Sequence, residues 1–193
     1  MKAKIVLILV ATSAIFLSCK KEDTSNSNIV HKSLNKQINV NSSLFDTAIV
    51  FNFNDDVATE FFMRIVYTSL SRESNYSLFF ASDDSRNQWL VNEVSEDAIA
   101  KKLPLNTLID SSSNIWSGSG LLYRKYSNSG SVLINYTDAV GVGDVLIGIR
   151  FIIDEKYHYG WLKVAVSADF KSIMVNEVAY NKLPNIPIKA GAF

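Results

Sequence analysis

Histidine and cysteine, the side chains most often used for catalysis near neutral pH, occur three times in this sequence, as Cys19, His31 and His158. A Ser-His-Asp arrangement would have to use His158, which lies in a predicted strand without a nearby G-x-S-x-G turn. A typical zinc site needs three or four ligands, which two histidines without a free cysteine hardly provide. Gly141-Val142-Gly143 lacks the third glycine and the following helix of a nucleotide-binding loop. We therefore predict no catalytic residue, no metal and no cofactor.

Adjacent acidic residues occur in two predicted loops, at 55–56 and 83–84. Asp83 and Asp84 have Ser85 and Asn87 nearby, so this loop offers the oxygen ligands that Ca²⁺ prefers, although without the spacing of an EF-hand. Such clusters are more often solvated turns, and we treat Asp83 and Asp84 only as weak calcium candidates. Loop carboxylates are also what a hydrolase would use, since glycosidases act through two carboxyl groups ~5–10 Å apart.

Two tryptophans lie in or beside polar predicted loops. Trp116 belongs to the Ser-, Asn- and Gly-rich stretch 111–120, and Trp89 follows the polar residues 85–88. Aromatic faces flanked by amide groups stack on sugar rings, so both residues are candidates for ligand stacking in a carbohydrate-binding module. The alternative is that both rings close the ends of a packed core.

The N-terminal residues have the organisation of an export signal. Lys2 and Lys4 precede a mostly aliphatic run over residues 5–17. A helix of that length measures roughly 20 Å, too short for the ~30 Å hydrocarbon core of a bilayer. The pattern therefore predicts a secretory signal peptide over residues 1–18. Leu17-Ser18-Cys19 resembles the lipobox of bacterial lipoproteins, which implies that Cys19 is acylated and becomes the first residue after cleavage.

Residues 19–33 are rich in Ser, Asn and charge, which predicts a flexible lipidated tether. Acyl chains on Cys19 would anchor the protein to a membrane. Lys20 stands where an Asp would favour retention at the inner membrane, so the expected location is the outer membrane of the cell envelope. The sequence Lys-Lys-Glu-Asp at 20–23 resembles the charged export tags of Bacteroidetes surface lipoproteins. Periplasmic and surface-exposed orientations both stay open.

The remaining residues, 34–193, suffice for a single domain. Hydrophobic residues make up 48% of the chain, which excludes a wholly disordered protein. The 19 Lys and Arg residues balance 19 Asp and Glu residues, so no overall positive charge favours nucleic acid. The expected partners are therefore the membrane, through Cys19, and a glycan or protein ligand.

Short apolar runs rich in Val, Ile, Phe and Tyr indicate about ten β-strands, separated by Ser, Asn, Asp and Gly. They occupy 36–40, 47–53, 60–70, 76–81, 88–94, 120–126, 131–136, 144–153, 157–166 and 172–180. Without long helices between them, they favour an all-β fold, an antiparallel, jelly-roll-like β-sandwich. The exception is 95–103, where an N-cap Ser95, early acids and late lysines predict a short helix that ends before Pro104.

The clearest hairpin joins the runs 144–153 and 157–166. In one register, Arg150 lies beside Trp161 as a cation–π pair and the aliphatic residues share one face. A slip of one residue would instead place Trp161 on the face of the aliphatic residues. Because both faces are largely apolar, periodicity does not choose between the registers. It does predict central strands and a closely packed Trp161.

Three stretches near the end of the chain share a pattern with other sequences. They are Ile-Gly-Ile-Arg-Phe at 147–151, His-Tyr-Gly-Trp-Leu-Lys-Val at 158–164, and the stretch 178–191. Together they resemble a recurring ending of exported bacterial proteins of uncharacterised function, with the patterns YLGxRF, HYGWxRLxV and YAYExxPNxPIxAG. Lys163 stands where that family has Arg, and Asn181 where Glu is common. The resemblance implies a secreted β-rich domain.

These observations favour a non-catalytic envelope lipoprotein whose β-sandwich presents a surface for interaction or adhesion. Two alternatives stay open, a carbohydrate-binding module and a hydrolase that uses loop carboxylates. A hydrolase should show buried acids that converge in a cleft and have raised pKa values. A glycan-binding module should instead show a flat or shallow aromatic face.

Overall fold

Every regular element in the described part of the chain is a β-strand. The structure, a computed structural model, describes residues 28–39, 46–56, 59–70, 73–93, 98–113, 115–129, 131–136 and 141–193. The strands within these ranges are β1 (Ile29–Asn39), β2 (Asp46–Phe51), β3 (Phe61–Leu70), β4 (Glu73–Ala81), β5 (Gln88–Leu90), β6 (Lys102–Leu103), β7 (Leu108–Ile109), β8 (Trp116–Ser117), β9 (Ser119–Asn128), β10 (Ser131–Tyr136), β11 (Asp144–Ile153), β12 (Lys156–Val166), β13 (Ser172–Asn181) and β14 (Ile188–Lys189). All ten predicted strands are present, and the additional β6, β7, β8 and β14 have two residues each.

The strands form two antiparallel sheets that pack face to face. The large sheet has the order β1-β13-β12-β11-β5-β8, with β6 also paired to β11. The small sheet has the order β10-β9-β4-β3-β2. β7 and β14 form a separate two-stranded pair. The predicted antiparallel β-sandwich is confirmed.

Aromatic rings dominate the core between the two sheets. Phe61 of β3 meets Trp89 of β5 edge to face, with ring centroids 4.8 Å apart. Trp89 also lies 4.6 Å from Phe80 of β4, and Phe53 lies 5.6 Å from Phe151 of β11. Rings of this size bury about 150–250 Å² each, so the cluster joins the two sheets through a large apolar contact.

The outer face of the large sheet is apolar as well, and Trp161 of β12 lies at its centre. The residues paired directly with Trp161 are Gly148 of β11 and Ala179 of β13. Because both neighbours are small, the indole has room at the surface of the sheet. Trp161 is only 1% exposed, which confirms the predicted packing of this residue.

A layer of irregular chain covers this outer face. We call it the covering layer, and it consists of residues 104–110 and 182–193, with the β7–β14 pair inside it. Ile109 and Ile188 of that pair join Trp161 in one buried cluster. The indole Nε1 of Trp161 donates a hydrogen bond to the carbonyl oxygen of Ala192 at 3.1 Å. The large sheet is therefore buried on both faces.

The β11–β12 hairpin adopts neither of the two registers considered from the sequence. Ile153 pairs with Lys156, so the loop contains only Asp154 and Glu155. These loop residues have φ values of 48° and 60°, and positive φ at both positions is the requirement of a type I′ turn. Such turns usually carry Asn-Gly, so the sequence gives little signal for one here.

The observed register changes the neighbours of Arg150. Arg150 pairs with Tyr159, while Trp161 pairs with Gly148. The predicted cation–π pair between Arg150 and Trp161 is therefore wrong. The aliphatic residues of both strands do share the inner face. The observed register differs from the first alternative by two residues, and a shift of two residues leaves each side chain on the same face of the sheet.

The predicted helix at 95–103 is wrong in its described part. Ile99 and Ala100 form isolated bridges to β9 and to the residue after β5, and β6 follows directly. Ala98 and Ala100 are buried while Ile99 is less so, which is the alternation of a strand. Pairing with extended neighbours outweighs helix propensities worth only tenths of a kcal/mol per residue. Residues 95–97 lie outside the described residues.

The domain begins earlier than expected from the sequence. β1 starts at Ile29, which pairs with Asn181, so residues 29–33 belong to the large sheet rather than to a tether. Without β1, β13 would be an exposed edge strand. Cys19 and the predicted signal peptide at 1–18 lie outside the described residues. No helix in the described ranges is long and apolar enough to cross a membrane.

Replacement of Trp161 by alanine is expected to lower the free energy of unfolding by about 3–5 kcal/mol, because it empties a closely packed site. Urea denaturation followed by circular dichroism measures this change. Val50→Ala is the matched control, because Val50 is 57% exposed on β2 and its truncation should cost within about 0.5 kcal/mol. Wild-type stability of the Trp161→Ala variant would contradict the packing described here.

Candidate functional site

A cleft of about 900 Å³ lies at the end of the sandwich where β11 turns into β12. Its walls come from the segment before β3, the segment before β5 and the tip of the β11–β12 hairpin. Six carboxyl groups line it against one guanidinium, namely Asp56, Glu60, Asp83, Asp84, Asp154 and Glu155 against Arg86. The whole chain has equal numbers of acidic and basic residues, so acidic charge is concentrated here. We call this site the acidic cleft.

Arg86 connects two walls of the acidic cleft. Its guanidinium lies 2.8 Å from the carboxylate of Asp84 and also pairs with Glu155 at the hairpin tip. Hydrogen bonds from Arg86 hold the pKa of Asp84 below its ordinary value. Because all three side chains are substantially exposed, water screens these ion pairs. Arg86 therefore positions the loop against the hairpin more than it stabilises the fold.

Glu60 is the buried carboxyl group of the cleft, with an exposure of 3%. Its Oε2 accepts a hydrogen bond from the backbone N–H of Phe53 at 2.7 Å, whereas Oε1 is buried and has no hydrogen-bond partner among the described residues. Burial raises the pKa of Glu60, and the charge of Asp56 adds to this effect, while the Phe53 hydrogen bond opposes it. Oε1 therefore has unused hydrogen-bonding capacity. A buried polar atom left without a partner costs about 1–3 kcal/mol of stability.

Asn87 holds the walls of the cleft together. It is buried, and its Oδ1 accepts a hydrogen bond from the backbone N–H of Ile152 at 2.9 Å. Its Nδ2 donates to the carbonyl oxygen of Glu60 at 3.3 Å. Its own backbone N–H donates to the carbonyl oxygen of Asp84, which closes the loop as a turn. One amide side chain thus fixes Glu60 relative to the hairpin tip.

The two calcium candidates have different surroundings. Asp83 is exposed, whereas both carboxylate oxygens of Asp84 accept hydrogen bonds from Arg86. Calcium takes six to eight oxygen ligands, and a bound guanidinium repels a cation. In the described ranges, no three His, Cys, Asp or Glu side chains form a group that would hold a metal ion. Asp84 is therefore engaged by Arg86, and Asp83 is the one of the two candidates that stays exposed.

Trp89 is unavailable for ligand stacking. Its exposure is 0%, and its ring packs between Phe61 and Phe80 in the core of the sandwich. The sequence placed Trp89 in a strand that begins at residue 88, beside a polar loop, and β5 does begin at Gln88. The alternative in which this ring fills the core is therefore the correct one.

Trp116 is only partly exposed, in β8 at the edge of the large sheet. The guanidinium of Arg150 lies between the rings of Trp116 and Tyr157, with its central carbon 4.7 Å from each ring centroid. The Nε of Arg150 donates a hydrogen bond to Gln88 at 2.7 Å. A sugar that stacked on this face of Trp116 would have to displace the guanidinium, so the geometry does not favour glycan stacking there.

The two histidines make structural contacts. His158 is buried, with its Nδ1 2.9 Å from the carbonyl oxygen of Asn181. His31 lies in β1, where its Nε2 is 3.0 Å from a carboxylate oxygen of Glu177 and its ring stacks on Phe193. Both rings therefore act as packing and hydrogen-bonding groups of the large sheet.

Three of the six carboxyl groups of the acidic cleft were not considered as site residues from the sequence. Glu60 was only the first residue of a predicted strand, and Asp154 and Glu155 were only a connecting loop. The sequence feature that could have indicated Glu60 is the position of an acidic residue directly before the apolar run 61–63. Its burial depends on the backbone of Phe53, a contact that no local pattern indicates.

No protein-family model, curated protein or solved structure matches this chain. The resemblance of the stretches 158–164 and 178–191 to exported bacterial proteins therefore stays a prediction. The functional interpretation rests on the geometry and charge of the acidic cleft.

Replacement of Glu60 by glutamine is expected to make stability less dependent on pH. The pKa of Glu60 in the folded state lies above its ordinary value of 4.5, so the folded protein binds the proton more tightly than the unfolded chain. Stability is then lost as the pH rises from about 4.5 through the raised pKa. Glutamine keeps an acceptor for the Phe53 N–H and removes the charge.

Melting temperatures of both proteins from acid to neutral pH measure this effect. The glutamine variant should gain stability relative to the wild type as the pH rises. Asp83→Asn is the control, because it removes an exposed carboxyl group of the same cleft. Parallel profiles for the wild type and Glu60→Gln would contradict the buried, desolvated state of this carboxyl group.

Proposed function

We propose that this protein is a non-catalytic envelope lipoprotein that binds a lysine- or arginine-rich segment of a partner protein in its acidic cleft. Cys19 carries the lipid anchor, and the outer membrane is the expected location. The β-sandwich serves as a rigid support for the cleft.

The acidic cleft carries this proposal. Clustered carboxylates in a concave surface create a local negative potential that attracts cations and selects against anions. The exposed carboxylates of Asp83 and Asp154 are the groups that a cationic side chain would meet, because Oε1 of Glu60 is buried. The ion pairs of Arg86 and the hydrogen bonds of Asn87 keep the walls in place before any ligand arrives, which limits the ordering cost of binding.

A hydrolase is the second candidate, and Glu60 is the observation that favours it. A buried carboxyl group with a raised pKa in a cleft is suited to act as a general acid. A general acid must reach the atom that it protonates, however, and Oε1 of Glu60 is buried while Oε2 is bound to the Phe53 N–H. This geometry supports binding better than catalysis.

Fluorescence anisotropy with a labelled oligolysine peptide tests the proposed binding. The double variant Asp83→Asn/Asp154→Asn is expected to weaken binding by about tenfold, since each charge lost from a cleft rim costs up to about 1 kcal/mol. Neither residue belongs to the Arg86 ion pairs, so the walls should stay in place. Binding should also weaken as salt is added, because salt screens exposed charges.

Asp144→Asn is the matched control, because Asp144 lies at the opposite end of β11, roughly 30 Å from the hairpin tip. This variant should bind oligolysine like the wild type. Equal affinity of all three proteins would refute the cleft as the binding site. Hydrolysis of p-nitrophenyl glycosides or esters that disappears in Glu60→Gln would instead favour the hydrolase.

The proposed anchor has its own test. Cys19→Ala should abolish incorporation of labelled palmitate in cells and release the protein from the membrane fraction, because acyl burial is the proposed anchoring force. Ser27→Ala, a change in the same polar segment, should leave both properties unchanged. Continued labelling of the Cys19→Ala variant would reject the lipobox interpretation.

A further inference from the structure

Exposed apolar side chains concentrate on the covering layer. Seven large hydrophobic residues in the described part of the chain are substantially exposed. Five of them belong to this layer, namely Leu105, Leu108, Leu183, Ile186 and Phe193. Single exposed apolar residues are ordinary on a protein surface, but their concentration in two short segments is typical of a contact surface.

The apolar surface also has depth. A pocket of about 360 Å³ opens at the covering layer, between Leu105 and Phe193, which are 72% and 70% exposed. Leu146 and Trp161 of the large sheet line the same pocket, and charged side chains stand beside them, namely Lys102, Asp144 and Lys163. An apolar group that entered between the two exposed side chains would therefore meet the buried outer face of the sheet.

The described chain enters the domain at this layer. The backbone N–H of Lys182, the first residue of its second segment, donates a hydrogen bond to the carbonyl oxygen of Asn28 at 2.8 Å. Nine residue steps separate Cys19 from Asn28, and covalent geometry limits that span to about 30 Å. An acyl group on Cys19 would thus keep the membrane surface close to the covering layer. This step rests on the proposed anchor.

The charges of the covering layer suit anionic lipid headgroups. Lys182 and Lys189 are exposed, and Asp110 provides the one side-chain carboxylate of its two segments. The Oδ1 of Asp110 accepts hydrogen bonds from the backbone of Ser112 and Ser113. Lysines beside exposed Leu, Ile and Phe side chains are the composition of surfaces that bind at a membrane interface.

We propose that the covering layer docks on the bilayer that holds the lipid anchor, with its exposed apolar side chains inserted at the boundary between headgroups and acyl chains. The anchor supplies proximity, and the layer fixes which side of the domain faces the lipid. A second copy of the chain or another protein would be a different occupant of the same surface.

Site-specific fluorescence in the full lipidated chain tests this contact. Cys19 is the only cysteine and is blocked when acylated, so Leu183→Cys and Phe193→Cys each provide one labelling site for an environment-sensitive dye. Val50→Cys is the matched control, because Val50 is similarly exposed but belongs to the small sheet. The proteins are reconstituted into vesicles of phosphatidylethanolamine and phosphatidylglycerol, with and without nitroxide-labelled lipid.

The dyes at positions 183 and 193 should emit at shorter wavelength when vesicles are present, and nitroxide-labelled lipid should quench their emission. The dye at position 50 should show neither change. Equal quenching at all three positions would overturn the docking. Emission that responds to protein concentration rather than to lipid would also overturn it, in favour of a second copy. The mass of the peptide that contains Cys19 reports on the anchor separately, so the anchor and the docking fail independently.

Discussion

The large sheet is apolar on both faces, and the rest of the fold follows from this constraint. Alternate residues of β11 point to opposite sides, so Ile149 and Phe151 enter the inner core while Leu146 and Gly148 face outward. Neither face is stable in contact with water. The small sheet covers the inner face through a cluster of aromatic rings, and the covering layer closes the outer face over Trp161.

The two proposed contact surfaces lie at the margins of the buried apolar core. The covering layer is too thin to bury its own outer side, so its large apolar residues remain in solvent. At the hairpin tip, the strands give way to Asp154 and Glu155, whose positive φ values make a turn without apolar side chains. Arg86 and Asn87 then join this tip to the neighbouring loop. The acidic cleft is thus a consequence of how the sandwich closes at one end, with Glu60 as the one carboxyl group drawn into the interior.

The strands were predictable from the sequence because apolar β-branched and aromatic runs between turn-forming residues are local signals. The register of the β11–β12 hairpin was not predictable, because a run that is apolar on both faces fits its partner in several alignments. The Asp154-Glu155 turn also lacks the glycine that usually marks such a turn. Residues around Ile99 had the local pattern of a helix but lie extended between strands, where pairing gains more than propensity. Trp89 and Glu60 show the same limit at the site level, because their burial depends on Phe61 and Phe53, which approach them only in the folded chain.

The chain has no formal net charge, but acidic groups are concentrated at one site. Six carboxyl groups surround the acidic cleft, whereas Lys182 and Lys189 lie on the covering layer. A neutral protein with evenly mixed charges would attract neither a cationic segment nor an anionic lipid surface. The two proposed contacts also differ in physical character. The cleft acts mainly through exposed charge, which salt screens over about 10 Å at 0.1 M, while the layer adds apolar burial, which salt does not weaken. The two proposed contacts should therefore respond differently to ionic strength.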